Sequence, residues 1–184
     1  AINGGHKLLK VAIAGTNYLY VVGGFNGTSA VSTVYKATVD GSGNIGTWAT
    51  TSQGQLPAIS REHGVVHANI GGTDYLYVTG GFAAGRLSTV YRASINASGE
   101  IGTFSTTNQG QLPTINSGHG LVKANIAGTN YLYLAGGVND AAHTSLVYRA
   151  TIDNSGNVSV WSTVGQSQLQ TTSSWHSLTT IDTA

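Results

Sequence analysis

Apolar, β-branched and aromatic residues fall along this chain in short runs of roughly four to eight positions, each bounded by Gly, Asn, Asp or Ser. Runs of that length and composition read as β-strands rather than helices. One of them, Thr16 to Gly24 (TNYLYVVGG), returns as Thr73 to Gly81 (TDYLYVTGG) and as Thr129 to Gly137 (TNYLYLAGG). The histidines His6, His63, His119 and His176 mark the same point in successive copies, at separations of 57, 56 and 57 residues. A period of that size accommodates a four-stranded unit and points to a propeller or another repeat array.

Four strands are expected in each copy. The first covers Leu8 to Ile13, Val65 to Ile70 or Leu121 to Ile126, and a Gly-Thr-Asn/Asp turn leads into the Tyr-Leu-Tyr strand. That second strand is apolar or aromatic at nearly every position, so it needs cover on both faces. The pairs Gly23-Gly24, Gly80-Gly81 and Gly136-Gly137 close it, where a positive φ or a close backbone approach is expected. The third strand carries Val34-Tyr35-Lys36-Ala37, Val90-Tyr91-Arg92-Ala93 or Val147-Tyr148-Arg149-Ala150. A Ser-Gly hairpin turn (40–44, 96–100, 153–157) joins it to a short strand carrying Trp48, Phe104 or Trp161, and each aromatic trio is expected in equivalent interior positions. The repeats are therefore 6–62, 63–118 and 119–175, followed by an extra strand in 176–184, where Leu178 to Thr183 repeats the first strand with polar substitutions.

The order of apolar strand, Gly-Gly, Tyr, Trp, Leu-Pro and Arg-x-His resembles the Kelch-type β-propeller. The progression from Val34 to Pro57 (Val-Tyr-x-Ala, Asp-x-Ser-Gly, Ile-Gly-x-Trp, Gln-Leu-Pro) is most similar to a bacterial extracellular branch of that family. The resemblance implies an all-β architecture of three four-stranded Kelch-like blades of about 57 residues with one surplus terminal strand. Phe104 stands for Trp, Gly4 and Ser117 stand where Arg61 does, and Gln170 replaces Pro57 and Pro113. The copper-oxidase chemistry found on that fold requires a Cys, and this chain has none.

Residues 1–6 line up with 114–119, so the sequence starts inside the connection between two repeats. Three blades do not close a ring. A longer chain, a dimer of six blades, or an open assembly in which blade faces and the surplus strand dock on a neighbour is expected to complete it.

Only 8% of residues are charged and the net charge is +1, so electrostatic capture of nucleic acid or of an anionic membrane is not expected. No apolar run reaches the length of about 18 residues that a spanning helix needs. The absence of Cys removes disulfides and thiolate metal sites. A surface rich in Gly, Ser, Thr, Asn and Gln, together with the family likeness, implies an extracellular or cell-surface location. Asn26, Asn96 and Asn157 head glycosylation sequons.

Candidate chemistry is sparse. Gly41-Ser42-Gly43-Asn44-Ile45-Gly46 fits G-x-G-x-x-G by letter, yet it leads into a strand and not a helix N-terminus, so no dinucleotide site is expected. His63 and His67, four apart in a strand, would be separated by about 13 Å and would not share a metal. The repeated histidines could form an imidazole ring near an axis, but a recurring residue in an array is more simply the same inter-repeat contact made each time. Asp40-x-Ser42-x-Asn44 and Asp153-x-Ser155-x-Asn157 have the oxygen spacing of half a calcium loop without its later Glu. No cofactor and no metal is expected.

Seven acidic residues, with no G-x-S-x-G, no H-E-x-x-H and no convergent carboxylate pair, lead to the expectation of a protein that is not an enzyme. The copies differ most after the second strand, at 25–30, 82–86 and 138–143. Variable loops on a constant scaffold suggest a binding face, with Asn26, Arg61, Glu62, Arg86, Asn139, Asp140 and His143 as the candidates. Two functions are compatible with this: a structural or adhesive module that self-associates into an oligomer or fibre, and a lectin-like or protein-binding module that takes a carbohydrate or protein ligand on the loop face.

Overall fold

A computed structural model describes residues 4–58, 60–114, 116–139 and 142–176. The surplus strand expected at Leu178 to Thr183 lies outside the described residues, as does Asp140. All regular structure among the described residues is β. Repeat 1 contributes β1 (Lys7–Ile13), β2 (Thr16–Phe25) and β3 (Ala30–Val39); repeat 2 contributes β4 (Gly64–Ile70), β5 (Thr73–Thr79) and β6 (Val90–Ile95). Repeat 3 contributes β7 (Gly120–Ile126), β8 (Thr129–Ala135), a small ribbon of β9 (Val138–Asn139) and β10 (Ala142–His143), and β11 (Val147–Ile152). Each repeat is an antiparallel sheet with the Tyr-Leu-Tyr strand in the centre, in the orders β1-β2-β3, β4-β5-β6 and β7-β8-β11.

The first hairpin of each sheet turns one or two residues earlier than the sequence suggests. The turn residues are Ala14-Gly15, Gly71-Gly72 and Ala127-Gly128, all with positive φ, and the following Thr is already in the central strand. Two consecutive left-handed residues form the tight turn whose twist matches that of the flanking strands.

The expected fourth strand exists only in part. It is held to the third by two bridges in each repeat: Val39↔Ile45 and Lys36↔Ala49, Ile95↔Ile101 and Arg92↔Ser105, Ile152↔Val158 and Arg149↔Ser162. Each pair of bridges spans three residues on the third strand (39 − 36) and four on the fourth (49 − 45), so the fourth segment carries one extra residue, a bulge. Trp48, Phe104 and Trp161 sit in that bulge, next to the second bridge. The bulge interrupts the ladder and re-aims the aromatic ring, which is why four full strands do not form.

The core lies between sheets rather than within one. Val11, Tyr20, Val22, Val34 and Leu56 of repeat 1 pack against Leu76, Val78, Ile101 and Phe104 of repeat 2. Tyr77, Val90 and Leu112 of repeat 2 pack in the same way against Leu121, Leu132, Leu134, Val158 and Trp161. The central strands are thus covered on both faces wherever a neighbouring sheet exists. The strands β1, β4 and β7 lie side by side along one edge of the stack.

Candidate functional site

The residues proposed as a ligand face divide into three groups. Arg61, Glu62 and Arg86 come together, and they do so around two rings that sequence reasoning missed. The Arg61 guanidinium carbon lies 4.8 Å from the centre of Phe25 and 5.0 Å from that of Phe82, and Arg86 lies 5.8 Å from Phe82. Phe25 and Phe82 are the residues that directly follow the Gly-Gly pairs of repeats 1 and 2, a position that is Val138 in repeat 3. Arg61 Nε is 3.9 Å from the Glu62 carboxylate. The result is an alternating row of rings and cations, with contacts worth about 0.5–1 kcal/mol each where exposed.

Asn26 serves its own loop: its side-chain oxygen accepts from the backbone N–H of Thr28 and Ser29. Asn139 pairs with Ala142 in the β9–β10 ribbon. His143 belongs to a separate cluster in repeat 3, where its Nδ1 is 2.8 Å from Ser174 Oγ and its ring meets Trp175 edge-on at 5.5 Å. Trp175 was also not among the candidates. Its signal was that a Trp stands immediately before His176, where the other repeats have Gly5, Glu62 and Gly118.

Beneath this face runs a repeated joint. The first Gly of each pair has φ of 55°, 56° or 64°, and a Cβ there would lie within 3.0 Å of the Cε1 of His63, His119 or His176 and about as close to a backbone carbonyl. The second Gly donates its N–H to Ser60, Asn116 or Ser173, at 2.7, 2.8 and 2.6 Å. His63 and His119 are completely buried. His119 Nε2 shares a 2.8 Å hydrogen bond with Thr79 Oγ1. The His63 ring makes no hydrogen bond of good geometry, although the Val22 carbonyl acts on it. Burial, reinforced by the charge of Lys7, pushes both rings down to about 3, so both are neutral at neutral pH. His63, His119 and His176 are structural contacts in this arrangement, each seated on a Gly-Gly pair, whereas His6 is exposed. His67 instead meets Asp74, at 2.8 Å.

The residue before each histidine adds a second device. Gly5, Glu62, Gly118 and Trp175 are all left-handed, with φ of 63°, 60°, 65° and 55°. The N–H of Glu62 donates to Gly5, that of Gly118 to Glu62, and that of Trp175 to Gly118, at 2.8, 2.8 and 2.6 Å. One hydrogen-bonded chain therefore runs through equivalent positions of all the repeats.

The hairpin turns that share the spacing of a calcium loop are satisfied from within. Asp40 accepts from the N–H groups of Ser42 and Asn44 and from the Asn44 side chain, and Asp153 does the same with Ser155 and Asn157. Those hydrogen bonds hold both carboxyls below the usual range. The Gly41 to Gly46 stretch forms this turn and the start of the fourth segment, with no helix beyond it. Among the described residues, no group of three or more His, Asp and Glu converges on one point, and no helix is long and apolar enough to cross a membrane.

The second candidate surface is the uncovered face of repeat 1. Leu8, Ile45 and Trp48 are 59%, 53% and 39% exposed. Of their equivalents, Leu121, Ile101, Val158, Phe104 and Trp161 are all 7% or less, and Val65 is partly buried against the first core cluster. The expectation of equivalent aromatic environments therefore fails for Trp48: Phe104 and Trp161 pack against the preceding repeat, and no described repeat covers Trp48 in that way.

No family model matches this chain, and no curated protein matches it. Among solved structures, it is similar to the α-L-arabinofuranosidase from Lactobacillus brevis, at 11% identity and a TM-score of 0.46. The likeness covers 90% of this chain and 54% of the enzyme, so the chain spans about half of that protein's length. A likeness at that level carries no argument about activity. What the structure defines is the class: an all-β repeat protein of stacked antiparallel sheets.

Proposed function

We propose that the chain is a structural or adhesive module, a segment of a Kelch-like β-propeller that self-associates through its uncovered blade faces, outside the cell or at its surface. The observation that carries this reading is the exposure of Leu8, Ile45 and Trp48, whose counterparts Leu121, Ile101, Val158, Phe104 and Trp161 are buried against a neighbouring sheet and whose counterpart Val65 is partly buried there. Apolar side chains left exposed where their counterparts are covered point to an association surface. The blade reading draws on the face-to-face stacking of the sheets, on the inner edge of β1, β4 and β7, and on the resemblance of the repeats to Kelch units. The uncharged, polar composition favours the extracellular setting.

Sedimentation velocity over a concentration series tests it. Mass should rise with concentration, and Leu8→Asp together with Trp48→Ser should hold the protein as a monomer. A wild-type chain that remains a monomer of 18.9 kDa at tens of micromolar overturns the reading.

The row Phe25–Arg61–Phe82–Arg86 favours a second reading, a binding module for a carbohydrate or protein ligand. Stacked rings and guanidinium planes offer flat contact surfaces flanked by hydrogen-bond donors. Glycan-array binding that disappears in Arg61→Ala, with the fold intact by circular dichroism, would select this reading.

A further inference from the structure

Every joint in this molecule is built from the same parts. Tyr20 Oη donates to the Gly99 carbonyl and Tyr77 Oη to the Gly156 carbonyl, both at 2.7 Å. Lys36 Nζ donates to Ser98 O at 3.0 Å, and Arg92 donates to Ser155 O at 2.8 Å. Gly54 N–H donates to Ile101 O and Gly110 N–H to Val158 O, both at 2.7 Å. At the second joint, Trp161 Nε1 closes the contact on Gly110 O at 2.8 Å. The outgoing side of a repeat thus supplies a Tyr hydroxyl, a cation and a Gly, and the incoming side supplies a hairpin turn, an Ile or Val and an aromatic ring.

Among the described residues, both halves of this joint recur without the opposite half, in repeats 3 and 1. Repeat 3 carries Tyr133, half-buried and donating to no described residue, and Arg149, which stacks at 5.1 Å over Tyr131 as Arg92 stacks over Tyr75. Repeat 1 carries the turn at 40–44, built on the same internal hydrogen bonds as the turn at 153–157, followed by the exposed Ile45 and Trp48. The Tyr hydroxyl and the cation of one end match the turn carbonyls of the other.

One position does not match. The outgoing Gly54 and Gly110 sit so close to the next repeat that a Cβ on either would lie 1.9 Å from a backbone carbonyl oxygen, that of Gly102 or Ser159. The equivalent residue in repeat 3 is Ser167. Its loop holds the same course as the other two. Gln168 accepts from Val147 N–H as Gln55 does from Val34 and Gln111 from Val90, and Leu169 N–H donates to Ser145 as Leu56 does to Ser32 and Leu112 to Ser88. The Ser167 Cβ would therefore point at the Gly46 carbonyl of an incoming repeat 1.

We propose that repeat 3 of one chain docks on repeat 1 of a second copy through this same joint, and that Ser167 limits the docking sterically. The identity of the occupant rests on the self-association reading above; the role of Ser167 does not require that the wild-type chain assembles. Overpacking against backbone is among the contacts least able to relax, so its removal should matter.

The experiment compares the self-association constants of wild type, Ser167→Gly, Ser167→Ala and Ser167→Gly with Tyr133→Phe, measured by sedimentation equilibrium on the full chain. Ser167→Gly should tighten association by about tenfold or more. Ser167→Ala should not, because the Cβ and not the hydroxyl is the obstacle, and adding Tyr133→Phe should reverse much of the gain. Equal constants for Ser167→Gly and wild type, or an equal gain in Ser167→Ala, overturn the proposal. A wild type that stays monomeric while Ser167→Gly associates defeats the self-assembly function and leaves this inference standing. A wild type that assembles no more weakly than Ser167→Gly does the reverse.

Discussion

Trp48 and Trp161 occupy the same place in their repeats, each in the bulge of a fourth segment beside an equivalent bridge, yet one is 39% exposed and the other 3%. Trp161 lies under the Leu112 core and donates to Gly110; Trp48 faces outward and its indole reaches no carbonyl among the described residues. Similar local sequence produces an equivalent local turn and bulge, but burial is conferred by the neighbouring repeat. In an array of this kind stability resides in the joints as much as in the units. The interior joints and the ends should therefore respond differently to the same substitution.

The largest difference is expected at these two residues. Trp161→Ala should cost about 3–5 kcal/mol, the range for deleting a buried large aromatic. Trp48→Ala should cost less than about 1 kcal/mol in the monomer, as for a substitution at an open surface. Urea unfolding of dilute protein measures both, and equal costs would mean that repeat 1 is covered in solution by a partner not yet taken into account.

Acid should expose the joints next. His63 and His119 are held neutral at about 3 by burial and by Lys7, against an ordinary value of 6.5. Because the folded value is depressed for a cationic group, the unfolded chain binds more protons between those limits, and stability is full above about pH 6.5 and falls as the pH drops below it. Each ring contributes about 1.4 kcal/mol per pH unit, so the two together should remove roughly 3 kcal/mol at pH 5.5. Asp40 and Asp153, whose carboxyls are held low, contribute stability that disappears only at more acid pH. Unfolding midpoints that match at pH 7.5 and 5.5 would contradict neutral burial of the histidines.

The repeat period, the β class and the Gly-Gly positions were legible because they are properties of a single unit. Gly23, Gly80 and Gly136 announce themselves by spacing, and their positive φ follows from local geometry. The row of Phe25, Arg61 and Phe82 was not legible, since it joins residues from the ends of different strands and different repeats. Arg61 was selected for its charge, while the rings that flank it were placed in the variable loops but passed over because they carry no polar group. The bulge was hidden for another reason: it is a difference of one residue between two strands, visible only once their register is known. Ser167 could be seen as a Gly-to-Ser departure in the aligned repeats, but its meaning depends on a carbonyl that belongs to the next repeat.

A smaller contrast separates two tyrosines. Tyr77 is buried and its hydroxyl is bonded to Gly156 O across a joint, and burial raises its pKa well above the ordinary value. Tyr77→Phe leaves that carbonyl unpaired and should cost about 1–2 kcal/mol. Tyr133→Phe removes a hydroxyl that bonds to no other repeat among the described residues and should change monomer stability by less than about 0.5 kcal/mol. A similar cost at both positions would show that Tyr133 has already found a partner.

The smallest effect is expected to have the opposite sign. Glu62 occupies a link of the hydrogen-bonded chain that Gly5 and Gly118 occupy without strain, and a left-handed conformation costs a residue bearing a Cβ about 1–2 kcal/mol. Glycine relieves that strain but loses about 0.5–1 kcal/mol through the greater freedom of its unfolded chain. The Glu62 carboxylate adds only a loose ion pair with Arg61, at 3.9 Å and partly exposed, whose loss is small. Glu62→Gly should therefore stabilise the protein by about 0.5 kcal/mol, while Glu62→Ala, which keeps the Cβ, should not. Gly118→Ala makes the reverse change at the next link, and should destabilise by at least as much as the strain alone, since its Cβ would also press on the Trp175 indole at 3.1 Å. If Glu62→Gly lowers the unfolding midpoint, the carboxylate contributes more at that loop face than its geometry shows, and the Arg61–Glu62 pair becomes the first place to look for a ligand contact.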